Sequence, residues 1–253
     1  MKIVYLVPGP MGRTPEGQVE LQRRGDLLQK YASPNVETGI VDVSEGPASI
    51  ESAYEEYLAI PAACRKAVEL EQEGWDAIIL GCYGDPGLDA LRELVSIPVI
   101  GPAEACALTM SSLGHRFGII TIAESVIEDT YRKARNAGVR DKIASVRVIS
   151  TPVLELHKNR ERTIDATVEQ ARIAMEQDRC DSFAVGCMSM GFLEVAEAAG
   201  AELGIPFLNP ARTSVRFAEM LVGAGLTHSR KAYHVPPKLA TGKVDSVSDL
   251  FKM

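Results

Sequence analysis

Two glycine–cysteine pairs carry the chemical promise of this chain. Gly81-Cys82 ends the run Asp76-Ala-Ile-Ile-Leu, and Gly186-Cys187 ends Asp181-Ser-Phe-Ala-Val. Turn residues follow each pair: Tyr83-Gly84-Asp85-Pro86-Gly87 after the first, Met188-Ser189-Met190-Gly191 after the second. A thiol just beyond a parallel strand lies where α/β sheets collect their ligands. The glycine before it permits close backbone approach. N–H groups of the turn, with the start of the next helix, favour negative charge. That setting is expected to favour thiolate over thiol and to hold a carboxylate, imide or enolate oxygen. Two such thiols across one small substrate would take a proton from one face and return it on the other.

The pairs sit in an internal repeat. Ile97-Pro98-Val-Ile-Gly101-Pro102-Ala103 is echoed by Ile205-Pro206-Phe-Leu-Asn209-Pro210-Ala211, each after a helical stretch and in the same order. A repeat of this size predicts two similar α/β halves, each giving one cysteine to a shared cleft. Apolar runs at 2–7, 36–41, 77–80, 99–100, 117–121, 145–149, 183–185 and 207–208 read as strands, mostly continuous and therefore covered on both faces. Helical patterns cover 17–31, 50–72, 88–95, 103–113, 124–136, 162–177, 192–203 and 213–224. Their alternation implies mainly parallel sheets with right-handed crossovers. The expected fold class is α/β, with two pseudo-symmetric Rossmann-like halves, each a mainly parallel sheet flanked by helices, and the active site between them.

His115-Arg-Phe-Gly-Ile-Ile-Thr121 restarts the pattern of the first strand. The first half is therefore placed at 1–103 with 216–253, and the second at 104–215, the last helix crossing back. From 227 onward the pattern fails, with a Pro-Pro breaker at Pro236-Pro237. This stretch reads as a surface arm ordered by a neighbouring subunit, which suggests a homo-oligomer.

Bulk properties narrow the class. The 253 residues suffice for a well-buried core, and a net charge of −7 argues against nucleic-acid or anionic-membrane partners. No apolar run approaches the ~20 residues of a membrane helix. Five cysteines without disulfide-like spacing point to a reducing cytoplasm. No CxxC pair exists and the four histidines lie far from the cysteines, so no metal site is expected. Gly9 and Gly12 lack phosphate-loop spacing, so nucleotide binding is rejected. Cys64, Cys106 and Cys180 read as buried packing residues. Asp85, followed by Pro86 and Gly87, is expected to cap the helix after it.

The segment Gly81-Cys-Tyr-Gly-Asp-Pro-Gly-Leu-Asp-Ala90 resembles the first cysteine loop of hydantoin racemases, within the aspartate/glutamate/hydantoin racemase superfamily. Gly186-Cys-Met-Ser-Met190 resembles the second loop, and the likeness spans roughly 1–225. It implies cofactor-independent epimerisation of a small molecule, with Cys82 and Cys187 as the acid/base pair. Backbone N–H groups near Tyr83, Gly84, Met188 and Ser189 would then stabilise the enolate, and Thr121 would occupy a substrate-binding position. One departure stands out. Family members usually carry an Asn-Pro-Asn-type loop after the first strand; here Val7-Pro8-Gly9-Pro10-Met11-Gly12 has no amide or hydroxyl side chain before Thr14. Pro8 and Gly9, acting through their backbone, are the nearest equivalents. The first expectation is thus a racemase of hydantoin-like rings, such as allantoin or a 5-substituted hydantoin. A lyase, decarboxylase or ring hydrolase using the same cysteines ranks second, and a non-enzymatic small-acid sensor third.

Overall fold

Strands without polar alternation need cover on both faces, and the chain supplies it twice. In the computed structural model, which describes residues 1–244 and 246–251, two four-stranded parallel sheets form. The first contains β1 (Lys2–Val7), β2 (Glu37–Asp42), β3 (Ala77–Leu80) and β4 (Val99–Ile100) in the order β2-β1-β3-β4. The second contains β5 (Phe117–Thr121), β6 (Ile143–Val148), β7 (Ser182–Val185) and β8 (Phe207–Leu208) in the matching order β6-β5-β7-β8.

The repeated residues do the same work in both sheets. Asp76 accepts the Lys2 N–H at 2.7 Å, and Asp181 accepts those of His115 and Arg116 at 2.7 and 3.1 Å. Each carboxylate ties the third strand of its half to the start of the first. At the far ends, the Gly81 and Gly186 N–H groups donate to the Leu6 and Ile120 carbonyls at 2.8 and 2.7 Å. A side chain would not fit there. A Cβ on Gly81 would stand 2.6 Å from the Leu6 oxygen, and one on Gly186 2.9 Å from Ile119.

Side chains alternate across each strand, so each sheet feeds two layers. Ile3, Tyr5 and Val7 pack on Leu28 and Tyr31 of α1 (Pro15–Tyr31). Val4 and Leu6 face Ala63 and Leu70 of α2 (Ala53–Gln72) and Leu91 of α3 (Leu88–Leu94). In the second half, Phe117 and Ile119 meet Cys106 and Met110 of α4 (Pro102–Leu113) and Ala134 of α5 (Ile127–Asn136). Ile120 and Phe183 meet Ala171 and Ala174 of α6 (Arg160–Gln177).

The predicted helix over 192–203 starts only at Val195 as α8 (Val195–Leu203), because Glu194 turns left-handed with φ 54° and separates it from a short α7 (Met188–Phe192). After β8, α9 (Pro210–Gly223) crosses back. Its Ala211, Val215 and Ala218 lie in the core of the first half. Among the described residues no helix is long and apolar enough to cross a membrane.

Within its own chain the arm docks on the first half. Buried Arg92 donates to the Val99 carbonyl, to Glu104 and to the Tyr233 hydroxyl, while Arg230 donates back to the Arg92 and Glu93 carbonyls at 3.0 Å. β4 is an edge strand, and its Val99 N–H is taken by His228 Nε2 at 2.8 Å. A short α10 (Pro237–Ala240) follows; Asp245, Lys252 and Met253 of the expected arm lie outside the described residues. Burial and the Arg92 charge push His228 down to about 4, so it accepts as the neutral ring. A depressed histidine binds its proton more weakly folded than unfolded. Its contribution is complete above about 6.5 and is lost as pH falls through about 4. Val99 amide protection, corrected for intrinsic exchange, should therefore drop across that window in hydrogen-exchange measurements. His228→Ala should lower the protection at neutral pH and flatten the dependence.

Candidate active site

Cys82 and Cys187, directly beyond β3 and β7 with one glycine between, both line a single cleft between the halves. Pro8, Gly9, Tyr83, Gly84, Met188 and Ser189 line it too. Thr121 does not. It is fully buried, and its hydroxyl donates to the Gly186 carbonyl at 3.3 Å, supporting the cysteine loop from behind. The loop after β1 enters the cleft as bare backbone. A Cβ on Gly9 would lie 2.4 Å from the Pro47 oxygen, so glycine lets the segment around Pro47–Ile50 close over it.

Each cysteine loop is anchored in the opposite half. Tyr83, 5% exposed, packs with Cys106, Phe117 and Ile119 of the second core. Met188 and Phe192 pack with Tyr5 and Ile79 of the first, the Tyr5 and Phe192 rings meeting edge-on at 5.3 Å. The turn after Cys82 is held by Asp85, which adopts a left-handed φ of 48° and accepts the Ala103 and Glu104 N–H groups at 2.9 and 3.0 Å. Asp85 thus caps α4, not the following α3 as expected. The repeat explains why. Gly101 stands where the second half has Asn209, and a Cβ on Gly101 would lie 2.5 Å from the Asp85 carboxylate. In the second half Asn209 caps α9 itself, accepting from Ala211 and Arg212, and donates to the loop carbonyl of Gly191 at 2.8 Å.

Burial opposes the expected thiolate at both sulfurs. Burial pushes Cys82 up to about 12; the charges of Cys187, Asp85 and Glu56 add to this, and the Gly84 N–H opposes it. Cys187 is also raised by burial, but the Met190 and Ser189 N–H groups, Arg24 and the Ser189 hydroxyl pull the other way. Desolvation outweighs the loop dipoles at both sulfurs. The N–H groups aimed at sulfur are those of Gly84, Ser189 and Met190, so Met190 joins the set read from sequence.

Charged residues that the motifs did not reveal also reach the cleft. Arg24 comes from α1, Glu56 from α2, and Asp129 and Lys133 from α5. Lys133 Nζ bonds Glu56 Oε1 at 2.8 Å, spanning the two halves. Nearby, the Val153 N–H donates to Glu51 at 3.1 Å, a second link across the mouth. Among the described residues no group of three histidine, cysteine or acidic side chains is arranged to hold a metal ion.

Two parallel α/β halves with a cysteine loop from each at one cleft define the architecture of a racemase-type isomerase. The chain belongs to the Asp/Glu/Hydantoin racemase family, whose model matches residues 22–218. It is 35% identical to a hydantoin racemase of a Pseudomonas species over 208 residues, 80% of this chain and 82% of that protein. Its fold is similar to those of an allantoin racemase from Klebsiella pneumoniae (26% identity, covering 94% of each chain) and one from Pseudomonas fluorescens (28%, covering 94% and 97%), both with a TM-score of 0.85.

The capping exchange yields a test. Asp85→Ala strips the cap from α4 and leaves the buried Ala103 N–H and the part-buried Glu104 N–H unpaired, so it should cost about 2–3 kcal/mol in denaturant unfolding. Asp85→Asn keeps an acceptor, as Asn209 does in the other half, and should cost less than half of that.

Proposed function

We propose that the protein is a cofactor-independent racemase of hydantoin-like rings, acting by two-base proton transfer between Cys82 and Cys187. The observation that carries this reading is that one cleft is lined by both sulfurs, each from a loop of a different half. The hydantoin and allantoin racemases among its relatives support the substrate class. In a hydantoin the C5 proton lies beside the C4 carbonyl, so its removal gives an enolate delocalised into the ring.

One sulfur, as thiolate, takes the C5 proton and becomes a thiol. The other, as thiol, donates a proton to the opposite face and becomes the thiolate. The pair ends with one proton, as it began, and the roles reverse for the other enantiomer. Only one of the two need be ionised, which suits a cleft where each thiolate raises the other's pKa. Gly84, Ser189 and Met190 N–H groups hold the sulfurs and lie near the developing oxyanion. Ring contacts from the Pro8–Gly9 backbone replace those an amide side chain would make.

Cys82→Ser and Cys187→Ser, made separately, should each lower racemisation about a hundredfold or more, followed by polarimetry on enantiopure allantoin and 5-substituted hydantoins. One variant should still exchange the C5 proton of one enantiomer with D2O. Full racemisation by either variant would sink the two-base reading. Formation of new compounds without loss of rotation would favour a lyase or hydrolase instead.

A further inference from the structure

Arg24 and the two loops make the two sulfurs unequal. Arg24 lies on α1 of the first half, only 7% exposed, yet its guanidinium reaches into the second. Nη2 donates to Ser189 Oγ at 3.1 Å, and the guanidinium sits 4.9 Å over the Phe192 ring. Nε donates to Glu20 at 2.7 Å, but Glu20 also pairs with Arg23 at 2.7 Å. Two guanidiniums share one carboxylate, which leaves positive charge at the cleft wall. Ser189 accepts from Arg24, so its own proton is free for the Cys187 sulfur.

The groups around the other sulfur have the opposite sign. Cys82 faces Asp85 in its own loop and Glu56 from α2, with Lys133 of α5 engaged by Glu56 and Asp129. Tyr5 of β1 lies within reach of Arg24 and of both sulfurs; burial raises it, so it stays neutral.

We infer that Arg24, acting through Ser189, is a positioning residue that makes Cys187 the sulfur of the pair that ionises first and leaves Cys82 as the proton donor. This rests on the reading of the two cysteines as an acid–base pair. It follows that the pair, once it loses a proton, is set for the enantiomer whose C5 proton faces Cys187. The other enantiomer requires the proton to move to Cys187 first.

Iodoacetamide alkylation across a pH series tests this, with labelled cysteines located by tandem mass spectrometry. Cys187 should alkylate at lower pH than Cys82. Arg24→Met should move the Cys187 midpoint up by about one pH unit and leave that of Cys82 in place. Arg24→Lys should restore part of the difference. Ser189→Ala leaves the α1 ion pairs intact and should move Cys187 in the same direction by less, so the test survives if Arg24→Met fails to fold. An unmoved Cys187 profile in the folded variants, equal movement of both cysteines, or Cys82 reacting first would overturn the assignment. Alkylation needs no turnover. A protein inert to hydantoins would defeat the racemase reading and leave the order of titration measurable.

Discussion

Everything at the cleft depends on an exchange of anchors between the halves. Tyr83 follows Cys82 and is buried in the second core; Met188 follows Cys187 and is buried in the first. Each side chain is worth about 1.5–3 kcal/mol of burial. The larger consequence is geometric. Neither half can shift without withdrawing the residue beside its own cysteine from the other's core. Close-packed cores do not deform continuously, so the relation between the sulfurs inherits the rigidity of the interior. The helices repeat the logic: α4 packs into the second half and α9 into the first, and the chain crosses between the halves twice.

That burial has an electrostatic price. A site buried enough to be held this firmly penalises both thiolates and pushes both thiols up. The penalty also separates the two sulfurs, because it is met by different neighbours: N–H groups and a guanidinium at Cys187, carboxylates at Cys82. A pseudo-symmetric fold therefore need not carry a symmetric proton. The broken symmetry is visible in the backbone too, where Asp85 replaces in the first half the cap that Asn209 supplies in the second.

Much of this was legible in the sequence, for physical reasons. Strands buried on both faces are continuous apolar runs, which made β3, β4, β5 and β8 readable to the residue. The repeat exposed Gly-Cys because both glycines meet a neighbouring strand at contact distance. Other features depend on side chains meeting across long sequence separations. Asp85 caps a helix 17 residues further along rather than the nearest one. Thr121 ends its strand in the right place but turns its hydroxyl away from the cleft. The arm looked unsupported because Arg92, its anchor, lies far upstream in an ordinary helix. Arg24 did leave a trace. Leu21, Arg24, Leu28 and Tyr31 share one helical face by spacing, and a charged residue on an apolar face calls for a buried partner.

The most direct measurement follows wild-type protein with one enantiomer of a 5-substituted hydantoin in D2O, read by NMR at low conversion. Proton transfer between two bases should place deuterium at C5 of the product while the remaining substrate keeps its proton. Product that retains the original proton, or substrate that gains deuterium before it inverts, would contradict proton exchange between Cys82 and Cys187.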